Sequence, residues 1–600
     1  MAAIRTAPGT ARGRRYAAPL ATFAVLALVG TVIPLLIARH YGALGAARGD
    51  DWSYLVTLFR WVDTGRMEFN DWVSMSLLGQ LLLAAPIAAV WGHATAIVQV
   101  ETAIVGLAGL VAVVTLGRRL GLSQVVAATV ALAVAVNPLW MILTTTYMTD
   151  VWAFTVSTIA LLVAVVALDR RPVPLPMVVG ALVIAAYAVT IRQYALVVVV
   201  AICLVGGIAL LGRRDTRIAL GAALGAVAVA AALIGFFVWW YSVPDSKALS
   251  PAFPEGRDLR TSVIRGAGFL RLVGLSSLPA LALAGPLRIL RRSLDRARGL
   301  TVLVLMCSTA WMAVTATRYL SSQFVGNYVI RDGALSIAVL PGIRPPVMPG
   351  PLWSLLVFTA SLTGILLLVA AVPMVADLAD RVRRRDTAGI EPVTSLLGIT
   401  VVGYAMAYGL AAMTGLQVYD RYALPALPLV SILLLRACCC PGHAPITRAR
   451  IALTAFAFVA LAVVGVNLAV DSASFDGARW RLALEVSNTG RFKPKQVNGG
   501  FEWVNFHRGR RGTVGSRTTV ARILPDGRVI RIARFCVNLR SLPPGESLPP
   551  SVAWRIMGSR SYVAPLREPA RIVALRSTRP CRAPNGSRPV LGPAQPSRAP

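Results

Sequence analysis

Apolar residues in this chain gather into runs close to the ~20 positions a helix needs to cross a bilayer, separated by short polar or basic interruptions. The runs predict thirteen spans, at about 17–38, 95–116, 122–142, 151–168, 173–190, 194–212, 218–241, 269–287, 299–316, 351–376, 393–415, 422–437 and 450–470. After residue 470 the pattern turns polar and strand-like. Arg517–Leu524, the turn Pro525-Asp526-Gly527 and Arg528–Val537 predict a β-hairpin. The fold class expected is an all-α polytopic membrane protein with a small C-terminal domain of β or α+β character. The organisation expected is a tail over 1–16, a transmembrane domain over 17–470, a C-terminal domain over 471–576 and a disordered Pro/Arg/Ser-rich end over 577–600.

The basic residues orient this pattern. Arg118-Arg119, Arg170-Arg171, Arg213-Arg214, Arg288–Arg298, Arg381–Arg385 and Arg448/Arg450 all fall on the side of the N-terminus, which places the N-terminus in the cytoplasm and the C-terminal domain outside. The stretch 73–91 (VSMSLLGQLLLAAPIAAVW) is also apolar, but as a span it would reverse every later loop. It is expected instead to lie in the outer interface, or as a re-entrant piece, within a first outer loop of 39–94. Arg5, Arg12, Arg14 and Arg15 precede the first run as in a signal sequence; the run is long enough to span and lacks a small-residue cleavage site, so an uncleaved first helix is expected.

A net charge of +34 would point to nucleic acid in a soluble chain. Here the arginines sit in loops between spans, so nucleic acid is excluded as a partner. The 7 cysteines divide by compartment, and Cys536 and Cys581 fall where a disulfide is permitted. The 4 histidines show no metal-binding spacing, which leaves a zinc hydrolase unsupported.

Candidate chemistry collects on the outer side. Asp50-Asp51 is an acidic pair in a chain with 26 acidic and 60 basic residues, and adjacent carboxylates at a membrane surface call for a metal, a sugar hydroxyl or a proton-transfer role. Asp150 opens the span after TTTYMTD. Arg192 lies in the turn TIRQY, and Tyr419, Asp420, Arg421 and Tyr422 in the turn before ALPALPLV. Arg331-Asp332 belong to the outer loop 317–350. Arginines and tyrosines at helix ends are ordinarily interfacial anchors. Arg192 and Arg421, however, run against the charge bias in very short turns, and an anion at headgroup level would give them a partner.

The run RGDDWSYLVTLFRWVDTG, the LLGQ and VWG of the interfacial stretch, the following GRRLG, NPLW with TTTYMTD and VWAF, and DRYALPALPLV together resemble the GT-C superfamily of membrane glycosyltransferases. The likeness is to the branch of protein O-mannosyltransferases and aminoarabinose-lipid A transferases, and it covers most of residues 16–437. It implies a polyprenyl-phosphate-linked sugar as donor and a glycan, lipid or protein as acceptor, used on the outer face. It implies that Asp50 or Asp51, with Asp50 favoured, is the general base of an inverting transfer. Asp150, Arg192, Arg331, Asp420, Arg421 and Tyr422 would bind substrate, the arginines steadying the phosphate. A divalent metal held by Asp50, Asp51 and Asp150 is left open. Two departures stand out: Asn70-Asp71-Trp72 replaces a Lys-Pro-Pro-like patch, and Gln99 (with Glu101 nearby) replaces an arginine. The competing readings are a transporter or lipid flippase of the cell envelope, and a membrane assembly protein without catalysis. Phe501, Trp503 and Phe506 could stack on an acceptor sugar or form a small core.

Overall fold

A computed structural model describes residues 9–70, 72–211, 215–243, 259–318, 323–335, 339–384, 391–414, 418–439, 446–489, 492–508, 519–523, 529–533, 535–548, 554–578 and 581. The hairpin turn at 525–527 and the chain end from 582 onward lie outside the described residues.

Among the described residues, 10 helices are long and apolar enough to cross a membrane, from Ala17–Tyr41 to Arg448–Thr489. The remaining three expected spans are not single helices of membrane length. Residues 122–142 break into Gln124–Ala135 and Pro138–Leu143, because Pro138 cannot donate to the preceding turn while Asn137 caps the new helix through Leu139 N at 2.9 Å. Residues 173–190 form the shorter helix Leu175–Ile191. The span at 269–287 is a pair, Leu259–Ser276 and Leu278–Ala284, bent by 62° where Ser277 and Pro279 interrupt the ladder. The apolar stretch around 78–91 is a 14-residue helix, about 21 Å long and too short for a bilayer core of ~30 Å. It packs on Leu175–Ile191 through Gly79, whose carbonyl accepts from Tyr187 Oη at 2.6 Å.

Two ends of the bundle have opposite character. Thr149–Leu168, Gln193–Leu211 and Asp420–Cys439 all begin at the end that holds the first loop. At their far ends the arginine-rich loops meet one another: Arg436 reaches Glu391 and the Leu120 carbonyl, Arg296 reaches Asp377 and Asp380, and Arg292 reaches the Ala437 carbonyl. Close backbone approach fixes the first loop in place. A Cβ at Gly477 would overlap the Tyr41 carbonyl oxygen, so the last long helix lies directly against the end of the first.

That last helix, Arg448–Thr489, runs unbroken through the boundary expected at 470. It continues because Asp476 and Arg479 in its second half are buried and paired, as described below. Beyond it a four-stranded sheet has the order β1 (Val497–Asn498), β4 (Val537–Leu542), β6 (Arg567–Ser577), β5 (Trp554–Ala564), with β1 parallel to β4 and the other pairs antiparallel. The expected hairpin is β2 (Thr519–Ile523) against β3 (Val529–Ala533), antiparallel with Thr519 opposite Ala533. Cys536 and Cys581 form a disulfide with a Cα separation of 4.9 Å.

Candidate functional site

The acidic pair is divided by the start of one helix. Asp50 precedes Asp51–Thr64, so the two carboxylates leave the backbone in different directions. Asp51 is fully buried and accepts from the backbone amides of Arg48 and Tyr147, the latter at 3.2 Å. Burial pushes its carboxyl well above the usual carboxylate range, against the lowering effect of those two amides and the Arg48 guanidinium. Asp50 keeps 26% of its side chain exposed. One of its oxygens accepts from Trp72 Nε1 at 2.9 Å and the other from Arg421 Nη2 at 3.0 Å.

Arg421 is fully buried, and its Nη1 has no hydrogen-bond partner. Its Nε is 3.7 Å from Asp150, beyond hydrogen-bond reach, and is likewise unsatisfied. Asp150 is buried and accepts from Arg192 at 3.1 Å, while its second oxygen has no partner. Tyr422 lies between the two arginines, with Arg192 4.6 Å and Arg421 5.6 Å from its ring centroid. Asp50, Asp150, Arg192, Arg421 and Tyr422 therefore form one cluster, drawn from the starts of three apolar helices and the first loop. The positive ends of three helix dipoles converge with two guanidinium groups, an arrangement suited to an anion.

Asp420 does something else. Its carboxylate accepts from the backbone amides of Tyr328 and Val329, both at 2.7 Å, and from Arg421 N at 2.8 Å. It pins the segment 323–335 onto the turn that carries Arg421, which places the Tyr328 ring 5.9 Å from that guanidinium. Arg331 makes no ion pair with Asp50 or Asp150 among the described residues; its carbonyl accepts from Val347 N at 2.7 Å, and its Nε is buried without a hydrogen-bond partner. Among the described residues no three His, Cys, Asp or Glu side chains converge; Asp50 and Asp150 face the arginines, and Asp51 faces backbone amides.

Several supporting residues escaped the sequence reading. Trp72, noted only as a departure, is the donor that orients Asp50. Gln99, the other departure, clamps the first loop by donating to the Ala46 carbonyl and accepting from Gly45 N, both at 2.8 Å. A buried ionic network lies beneath: Arg48 reaches Asp476 at 3.0 Å, Arg479 reaches Asp476 at 2.9 Å and Glu502 at 2.7 Å, and Glu502 accepts from Gly49 N at 3.3 Å. The C-terminal domain thus holds the backbone next to Asp50. Phe501 of that domain packs on Trp72 at 5.1 Å and Trp52 at 6.0 Å, beside the carboxylate, whereas Trp503 is wholly buried as core.

No family model matches the chain, and no curated protein matches it. Among solved structures, it is similar to ArnT from Cupriavidus metallidurans bound to undecaprenyl phosphate, at 12% identity and a TM-score of 0.41 over 92% of this chain and 97% of that one. It is also similar to the archaeal oligosaccharyltransferase AglB from Archaeoglobus fulgidus in complex with an inhibitory peptide and a dolichol-phosphate, at 14% identity and a TM-score of 0.37 over 80% of this chain and 63% of that one. Both scores are low, so the chemistry must be read from this chain's own side chains.

Proposed function

We propose that this protein is a membrane glycosyltransferase of GT-C type that moves a sugar from a polyprenyl phosphate to an acceptor hydroxyl on the outer face of the membrane. The observation that carries the reading is Arg421: a buried guanidinium with two unsatisfied nitrogens that donates one hydrogen bond to a half-buried carboxylate and is set among three helix starts. An unsatisfied buried donor is costly, and a phosphate oxygen would satisfy it. In the reaction, the acceptor oxygen forms its bond to the anomeric carbon as its proton passes to Asp50. The bond from that carbon to the phosphate oxygen breaks, and the electron pair leaves with polyprenyl phosphate, whose growing charge Arg421 and Arg192 stabilise. Attack opposite the leaving group inverts the anomeric centre.

Asp50 suits the base because it is the acid of the pair that solvent reaches; Asp51 is occupied by backbone amides and acts as its support. Asp150 orients Arg192. Trp72 and Phe501 offer aromatic faces to the acceptor beside Asp50. The arginine-rich loops lie at the far end, which supports a cytoplasmic face there, and the disulfide suits an oxidising compartment for the domain beside the site. A flippase would need its charges along a path, whereas these gather at one end. The test is sugar transfer by membranes containing the chain, supplied with radiolabelled polyprenyl-phosphate sugars. Labelled acceptor together with free polyprenyl phosphate supports the reading. Movement of intact donor between leaflets, with no transfer, sinks it.

A further inference from the structure

The arginine-rich end holds a cavity of about 850 Å³ between the start of Pro286–Arg318, the end of Gly350–Arg383 and the start of Arg448–Thr489. We infer that it binds the phosphate headgroup of an anionic phospholipid, a site separate from the Asp50 cluster and independent of the sugar-transfer reading. Five arginines line it against two aspartates, Asp295 and Asp377.

Three of the arginines are committed to the fold. Arg296 pairs with Asp377 at 2.6 Å, Arg292 donates to the Ala437 carbonyl, and Arg450 donates through Nε to the Leu283 carbonyl at 2.7 Å. Two are not. Arg288 Nη1 is buried without a hydrogen-bond partner, and Arg291 is exposed and takes part in no ion pair among the described residues. Three positions apart on one helix, they share a face and can grip one phosphate together.

The surroundings favour a lipid over a soluble phosphate ester. The cavity lies at the arginine-rich ends of the membrane-length helices Gly350–Arg383 and Arg448–Thr489. The residues of 286–296 that line it are set off by a break at Ala297 from the apolar helix that follows, which puts the cavity at the level of headgroups. Leu287 and Leu453 on its rim are 71% and 45% exposed, and acyl chains would cover them. No aromatic side chain lines it to stack a nucleobase. The attraction of an anionic headgroup for uncommitted basic residues at a membrane surface supplies the affinity.

The test uses the full chain in uncharged detergent, its thermal midpoint read by tryptophan fluorescence during titration with dioleoyl-phosphatidylglycerol, dioleoyl-phosphatidylcholine or inorganic phosphate. Phosphatidylglycerol should raise the midpoint saturably, and the other two should not. Arg288→Gln/Arg291→Gln should raise the half-saturating lipid concentration roughly thirtyfold, as expected for two basic contacts. Arg291→Gln alone, at an exposed position that folding does not need, should raise it roughly fivefold. Arg170→Gln/Arg171→Gln, the same charge change on an exposed loop that does not line the cavity, should leave it unchanged. Equal responses to both lipids, or equal shifts in the two double variants, would overturn the inference. Saturation by inorganic phosphate at the same midpoint gain would assign the cavity to free phosphate instead.

Discussion

Arg421 donates a hydrogen bond to Asp50 at 3.0 Å across 371 positions of sequence, tying the first loop to the turn that opens the apolar helix Asp420–Cys439. The pair gives the proposed base and the proposed phosphate-binding cation one shared geometry. Arg421→Gln should leave a folded protein, since Asp50 keeps Trp72 and Asp150 keeps Arg192. Transfer should fall about 10²–10³-fold, the usual cost of removing one preorganised donor to a developing anion. Arg421→Lys should not restore it, because an ammonium cannot hold Asp50 while presenting a planar fork to phosphate. Initial rates and polyprenyl phosphate binding on the three proteins check this.

The neighbouring acid should behave differently. Asp51→Asn retains an acceptor for the Tyr147 or Arg48 amide, so transfer should drop less than about tenfold, while the loop loses stability. Asp51 has a carboxyl raised by burial, so it contributes stability below the ordinary carboxylate range and loses it as pH rises through the raised value. The gap in thermal midpoint between wild type and Asp51→Asn should therefore narrow from pH 4 to pH 7. A gap that widens with pH would show that the folded protein favours ionised Asp51.

Acid should loosen the C-terminal domain through His507. Its imidazole is packed against Trp503 at 4.1 Å, with a buried Nε2 that has no partner. Burial, with Lys495 adding to it, lowers the group to about 4 from 6.5. A depressed histidine adds stability above its unfolded value and loses it as pH falls from 6.5 toward 4. The loss at pH 5 is about 2 kcal/mol. Urea unfolding followed at pH 7 and pH 5 should show it, and His507→Gln should remove most of the difference.

The buried network at Arg479 makes the site depend on the C-terminal domain. Arg479→Met leaves Asp476 and Glu502 close together without their shared cation and should cost about 3–5 kcal/mol. Adding Glu502→Gln should recover part of that loss, because the remaining acid keeps Arg48. Denaturation of the single and double variants gives the coupling directly.

How much was legible in advance follows from how local each signal is. The spans were, since each is a contiguous apolar run, and even the divided ones carry their reason in Asn137-Pro138 and in Ser277 to Pro279. The hairpin was legible from Pro525-Asp526-Gly527. The cluster itself was assembled from motif resemblance and charge bias, which found Asp50, Asp150, Arg192, Arg421 and Tyr422 but could not say which acid of the pair reaches solvent. That choice depends on the Tyr147 amide, 96 positions from Asp51. Asp420 shares the chemistry of its neighbours, and only tertiary contacts show that its carboxylate holds the Tyr328 and Val329 amides. Asp476 and Arg479 did carry a signal, an acid and an arginine three apart at the end of an apolar run. The segment after 470 reads as polar, which masks that signal, whereas Asp476 and Arg479 are buried against one another.

The most direct measurement is single-turnover transfer from a polyprenyl-phosphate sugar by wild type and Asp50→Asn, with polyprenyl phosphate binding recorded on the same preparations. The account predicts donor binding retained and transfer slowed about 10²–10⁴-fold in the variant, the range for losing a general base. Transfer at the wild-type rate by a folded, donor-binding Asp50→Asn protein would contradict it.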